Sequence, residues 1–248
     1  MKNAANAATL TPDINCDDNE IIYKDVVGLI PCSGTASRMS GIPKFLLPCK
    51  EGNLIDNSIN IFKSNNIDDI YVSVSSENEH FIKNRDNIKY IVKNTNTMSE
   101  TVKHLIEIKS KKYILIMPDT YFINDGNQKF NEIHQMYMLL NKFDIVVILW
   151  KIKEYQYGKL GQVDIDDTKV IDVMDKKHDC KYPYSWGIIG WTNQVNHLID
   201  AKTPHVGYVL NEALKNKIEI GYILADTDYY DCGTPEEYFK MIKNCTTS

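Results

Sequence analysis

The sequence predicts an α/β protein: a single Rossmann-like domain with a mostly parallel sheet, helices on both faces and a small antiparallel insertion. Three observations carry this expectation. Short apolar runs without alternation recur along the 248 residues, as strands covered on both faces require. Amphipathic stretches of helical length separate them, which is the order of elements that builds a parallel sheet. One segment, Gly161 to Met174, breaks the rhythm with two short strands around a turn, the pattern of a hairpin.

Taken in order, residues 1–22 read as a flexible lead-in and residues 23–248 as the domain. Met1 to Glu20 lacks the basic start and apolar run of a signal peptide and the arginines of a transit peptide. Val26 to Ile30 is the first strand, ending in a Pro-Cys-Ser-Gly turn cluster. A helix over Ile55 to Lys63 leads to a strand at Ile70 to Val74 and another at Tyr90 to Val92. A helix over Ser99 to Ile108 precedes the strand Tyr113 to Met117, and a helix over Phe130 to Leu140 precedes the strand Ile145 to Leu149. Gln162 to Asp166 and Lys169 to Val173 form the hairpin, and Ile220 to Leu224 is the last long strand. No Pro/Gly/Ser linker, repeat or low-complexity tract divides the chain.

Composition narrows the function. Hydrophobic residues at 43% and charged residues at 25% exclude collagen-like, coiled-coil and wholly disordered classes. A net charge of −5 argues against nucleic acid as a partner, because that affinity needs clustered Lys and Arg. A nucleotide substrate stays open, since a single phosphate needs only two or three placed cations. No apolar run reaches membrane-spanning length, so a membrane partner is not expected. The six cysteines include no C-x-x-C pair and no nearby His in metal-ligand spacing, which fits reduced thiols and a cytoplasmic setting.

The loop after the first strand reads Ile30-Pro31-Cys32-Ser33-Gly34-Thr35-Ala36-Ser37-Arg38-Met39, followed by Pro43-Lys44-Phe45-Leu46-Leu47. In such sheets ligands collect beyond the carboxyl ends of the strands. The small residues allow close backbone approach, and successive N–H groups can surround phosphate oxygens. Arg38 and Lys44 add two cations. Neither G-x-x-x-x-G-K-[ST] nor G-x-G-x-x-G occurs. Taken alone, the string also suits a tight turn with two solvated charges.

Two further strings stand far along the chain. Tyr113 to Met117 ends in Pro118-Asp119, and Tyr230-Asp231-Cys232-Gly233-Thr234-Pro235-Glu236-Glu237-Tyr238 precedes the C-terminal segment. An Asp at a strand end is by itself commonly a turn or cap. Thr234-Pro235-Glu236-Glu237 makes a helix start with Thr as cap and Pro at the first helical position.

Together the three strings, in this order, resemble the sugar-1-phosphate nucleotidyltransferases, a family of GT-A-like fold whose motifs are L-A-G-G-x-G-T-R-[LM], then P-K, a strand-end Asp, and a late D-x-G-T-P-E-[DE]-Y. Gly34 matches a family glycine, while Ser33 and Ala36 stand where glycines are usual. The resemblance implies that Cys32, Ser33, Gly34, Thr35 and Ala36 form a nucleotide-binding loop, with Arg38 at the leaving pyrophosphate and Lys44 at the α-phosphate. It implies that Asp119 and Asp231 hold a catalytic Mg2+, which prefers hard oxygen ligands and takes one or two carboxylates beside substrate phosphates.

The remaining motifs are looser. Val173-Met174-Asp175-Lys176-Lys177 resembles the family's acidic-Lys-Pro motif with Lys177 in place of the proline. By that likeness Asp175 contacts sugar hydroxyls and Lys176 the sugar phosphate; a solvated turn is the alternative. Gly161 resembles the glycine that packs against the sugar, and Trp186-Gly187 resembles a strand of the same cleft. Trp186 suits stacking on a pyranose as well as core packing. Asn94, Thr95 and Ser99 occupy the segment where the family reads its base, although polar residues before a helix are also caps.

The resemblance implies Mg-dependent transfer of a nucleotidyl group from an NTP to a phosphorylated sugar, a sugar 1-phosphate, with release of pyrophosphate. A cytidylyltransferase acting on a non-sugar phosphate, such as phosphocholine or a polyol phosphate, is the nearest alternative, because the Arg38 to Lys44 interval is short. A non-catalytic nucleotide-sugar-binding regulator is the other. The base, the acceptor and any homo-oligomer are left open by the sequence.

Overall fold

The computed structural model of the chain describes residues 23, 25–34, 42–82, 85, 88–123 and 130–245. The lead-in 1–22 and the loop residues Thr35, Ala36 and Arg38 lie outside them.

Most of the unalternating runs become strands covered on both faces, whereas the run at 90–92 becomes an edge strand with none of its residues buried. β1 (Val26–Cys32) is buried along its whole length. It pairs in parallel with β4 (Ile70–Val74) on one side and with β6 (Lys112–Ile116) on the other. β5 (Lys89–Val92) extends the sheet beyond β4, also in parallel. Past β6 come β11 (Tyr184–Thr192), β8 (Ile145–Lys151) and β12 (Ile220–Leu224). β12 is parallel to β8, whereas β11 is antiparallel to both its neighbours. The order β5-β4-β1-β6-β11-β8-β12 therefore has one reversed strand, and the mostly parallel sheet is as the sequence implies.

The predicted hairpin is β9 (Gly161–Ile165) with β10 (Val170–Asp175). It joins the sheet through two pairs, Tyr184↔Val163 and Ser185↔Gln162. Its turn is built on Asp166, whose carboxylate accepts the N–H groups of Thr168 and Lys169. The same turn is tied back to β12 by the Tyr222 hydroxyl, which donates to the Asp166 carbonyl at 2.9 Å.

Four helices cover the sheet. α1 (Leu54–Ser64) starts with a capping box of Asn53 and Asp56, just after the short pairing of β2 (Pro48–Cys49) with β3 (Gly52–Asn53). It lies with α3 (Asn131–Leu139) on one face, packing Ile59, Phe62, Ile133 and Met136 against Ile30, Ile114 and Ile148. α2 (Met98–Leu105) and α4 (Tyr208–Lys215) bury Val102, Leu105, Val209 and Leu210 on the other face, against Leu29, Leu115 and Val147. α2 ends three residues before the sequence suggests, because Glu107 and Ile108 bond back to His104 and Leu105 in tighter three-residue turns. β7 (Thr120–Phe122) pairs with β13 (Tyr229–Asp231), and α5 (Pro235–Cys245) closes over them with Met241 on Tyr121 and Tyr230.

The connectivity fixes where a ligand can enter. From β1 the chain moves outward to β4 and β5, then returns to place β6 on the opposite side of β1. That reversal is a topological switch point, where such sheets bind ligands beyond their carboxyl ends. The β1–β6 ladder stops at Leu29↔Leu115, while β1 continues beside β4 as far as Cys32↔Val74. Pro31 falls in this stretch. It has no N–H to give, and it is tolerated where one neighbour has already dropped away.

Candidate active site

A cleft of about 280 Å³ opens at the switch point. The end of β1 contributes Cys32, Ser33 and Gly34; Lys44 and Phe45 come from a short 3-10 turn, and Met117 to Asp119 from the end of β6. The fourth wall is Thr95 to Met98 with Thr101, at the start of α2. Phe45 is buried in the core and so anchors the turn, leaving the Lys44 stem to reach along the cleft. Its Nζ donates to Asp119 Oδ2 at 3.0 Å, and both side chains are less than one-fifth exposed.

The small β7–β13 sheet brings the second carboxylate to the first. Asp231 pairs with Thr120, the residue after Asp119, and the Cys232 N–H donates to the Asp119 carbonyl at 2.7 Å. The Gly233 N–H then donates to Asp231 Oδ1 at 2.9 Å. A Cβ at Gly233 would stand 2.8 Å from Asp231 Oδ1 and 3.6 Å from Asp119 Oδ2. Two carboxylates from positions more than a hundred residues apart thus flank one point beside the first loop. Their negative field reaches inward: burial raises the pKa of the Tyr229 hydroxyl and of the Cys32 thiol. Asp231 and Asp119 add to the shift at Tyr229, and Asp119 to that at Cys32. Both groups stay protonated.

This donor pair fits Mg2+. Both oxygens are hard, and a carboxylate pair leaves most of an octahedron to phosphate and water. Among the described residues no group of three or more His, Cys, Asp or Glu is arranged to hold a metal.

A second group stands at the start of β11. Ile188 pairs with Ile116, the last residue of β6, so Trp186 and Gly187 come at the carboxyl end of that strand. A Cβ at Gly161 would collide with Trp186 Nε1 and one at Gly207 would meet its Cζ2 at 2.7 Å, so the indole is wedged between two glycines. Asp175 pairs with Gly161 across the hairpin, and its Oδ2 accepts from His205 Nε2 at 2.9 Å. Burial opposes the charge on Asp175, but the hydrogen bond and charge of His205, with Lys176, hold its pKa below the usual carboxylate range. Lys176 follows with a positive φ of 49° and an exposed side chain. The segment before α4 joins this group to the cleft wall: Thr97 Oγ1 donates to the Ala201 carbonyl, the Met98 N–H to the Pro204 carbonyl and Thr203 Oγ1 to Ser99 Oγ.

Of the residues named from sequence, Cys32, Ser33, Gly34, Lys44, Thr95 and Asp119 line the cleft, and Asp231 joins Asp119. Gly161, Asp175 and Trp186 meet in the second group. Three others sit elsewhere. Asn94 is exposed and holds the Ser76 N–H at 3.0 Å. Ser99 is buried behind the cleft wall as the acceptor of Thr203. Gly187 points toward Trp150 and Tyr229 in the core. Sequence reasoning placed the base-reading segment here without singling out Asn96, Thr97, Met98 and Thr101, and it missed Met117 on the cleft and His205. The Thr97-x-x-Glu100 cap, whose Oγ1 accepts the Glu100 N–H at 3.0 Å, is a signal that could have located the wall. His205 has none, since its partner is 30 positions away.

No protein-family profile matches the chain, and no curated protein matches it. Solved structures do. One is a protein assigned as a glucose-1-phosphate thymidylyltransferase from Bacillus anthracis, in complex with a sucrose, at 19% identity and a TM-score of 0.76 over 89% of this chain and 95% of that one. A UDP-glucose pyrophosphorylase complexed with UDP-glucose superposes at 0.72, with 16% identity over 92% and 99%. The inositol-1-phosphate CTP transferase from T. maritima superposes at 0.71, with 16% identity over 88% and 95%. At these identities the likeness is one of fold, and the α/β fold of the chain is the one these nucleotidyltransferases share.

Proposed function

We propose that the chain is a nucleotidyltransferase that moves a nucleotidyl group from an NTP to a phosphorylated acceptor, a sugar 1-phosphate by preference, releasing pyrophosphate. The observation that carries the reading is the meeting of Asp119, Asp231 and Lys44 at the switch-point cleft, on a fold shared with solved nucleotidyltransferases. Both reactants are anions, so the barrier lies in bringing phosphate to phosphate. Positioning and charge neutralisation suffice, with no covalent intermediate.

In this reading Asp119 and Asp231 hold Mg2+, which neutralises charge on the phosphates when bound. Ser33 and Gly34 offer backbone N–H groups to the polyphosphate, and Lys44 balances the α-phosphate. Arg38, Thr35 and Ala36 serve the same loop by resemblance alone. The wall at Thr95 to Met98 borders the base. Asp175 accepts from hydroxyls of the acceptor, Trp186 supplies a flat apolar face, and Lys176 balances the acceptor phosphate. The acceptor oxygen attacks the α-phosphorus in line with the leaving pyrophosphate.

Pyrophosphate release, measured over a matrix of NTPs and phosphorylated acceptors, tests the proposal. Turnover with one NTP and a sugar 1-phosphate is expected. Turnover only with CTP and a non-sugar phosphate would move the reading toward the activity named for the T. maritima neighbour. Binding of a nucleotide-sugar with no turnover anywhere would make the chain a binding protein.

A further inference from the structure

Lys44 is bonded to the oxygen that a metal ion between the two aspartates would need. Its ammonium lies 3.0 Å from Asp119 Oδ2, and that same Oδ2 is the Asp119 atom facing the point at Gly233 shared with Asp231. An ion drawn to both carboxylates would therefore meet a resident positive charge at bonding distance from its own ligand. Two cations on one oxygen repel, so the ion and the ammonium compete for it. The Lys44 backbone is fixed, because Phe45 is in the core and Leu47 N–H closes the turn on the Lys44 carbonyl at 3.0 Å. The stem can still swing, having four rotatable carbons. What the displaced ammonium finds in the cleft is the N–H-bearing end of β1, the natural place for phosphate. With no anion there, displacement would leave it uncompensated in a cleft where it is only 16% exposed.

We infer that Lys44 is a resident counter-ion of the carboxylate pair, so that the site excludes a free divalent cation and admits one only together with a phosphate-bearing ligand that takes over the ammonium. This rests on the two-carboxylate metal site of the proposed function. It adds an order to binding: the ion enters with the nucleotide, and Lys44 passes from Asp119 to phosphate in the same event.

Binding of Mn2+ alone to the full chain, read by electron paramagnetic resonance without nucleotide, tests this. Lys44→Gln and Lys44→Ala should bind Mn2+ about tenfold or more tightly than wild type, Lys44→Arg should behave as wild type, and adding Asp231→Asn to Lys44→Gln should erase the gain. Circular dichroism checks that each variant is folded. Wild type that binds Mn2+ as tightly as both Lys44 variants, with the binding lost in Asp231→Asn, overturns the counter-ion and leaves the metal site standing. Absence of Mn2+ binding from every variant overturns the metal site and the counter-ion together. A gain that survives Asp231→Asn also overturns the inference, because the ion would then lie elsewhere.

Discussion

Gly233 is held to glycine by its neighbours. Its φ is ordinary, so alanine suits the backbone, but the added methyl would press on Asp231 Oδ1 at 2.8 Å and crowd Asp119. Gly233→Ala should fold with a near-normal melting temperature and lose Mn2+ affinity by about tenfold, read in a metal titration with nucleotide present. Asp119→Asn and Asp231→Asn should each cut pyrophosphate-releasing turnover by about 100-fold or more, the scale of a lost metal contribution. The melting temperature should change little in Asp231→Asn, whose side chain is partly exposed, and fall in Asp119→Asn, which takes the counter-charge from Lys44. Asp175 makes a pH prediction. Its pKa is depressed in the folded chain, so its contribution to stability is present above the unfolded value of about 3.9 and fades as pH falls through the folded value. In His205→Ala the carboxylate keeps its burial and loses its partner, so the acid limb of the melting curve should move to higher pH. The aspartates were legible because each ends a strand inside a recognisable string. His205 was not, because only tertiary packing brings it to Asp175.

At the scale of elements, the strands Ile70–Val74 and Ile220–Leu224 are where their apolar runs lie, since a run buried on both faces has sharp polar borders. The reversal of β11 could not be read: a buried strand shows the same residues whichever way it runs. β7 and β13, three residues each, are too short for any periodicity to register, yet they set Asp231 beside Thr120. β11 also carries a tight sheet-to-core contact. A Cβ on Gly187 would stand 2.8 Å from Tyr229 and 2.9 Å from Trp150, two rings stacked on each other at 5.1 Å. Gly187→Ala should cost about 1–3 kcal/mol by overpacking, measured by urea unfolding.

For the whole molecule, the alternation of strands and helices was enough to predict the layers, and the order in which strands return to β1 was enough to find the ligand end once the pairing was known. What stayed hidden is how the ends of distant strands are bracketed together. Ligands that bind only the folded chain raise its stability, by about 2.7 kcal/mol at 100 times the dissociation constant. If the proposed function holds, thermal unfolding with each NTP and Mg2+ should single out the preferred base by the largest upward shift, and Mg2+ alone should give little. The bonds from Thr97, Met98 and Ser99 to residues 201–204, followed at once by His205 on Asp175, have a mechanical consequence. They tie the cleft wall to the Asp175 group, so under the proposed function a tilt of α2 around an incoming base would be relayed to Asp175 ahead of the acceptor.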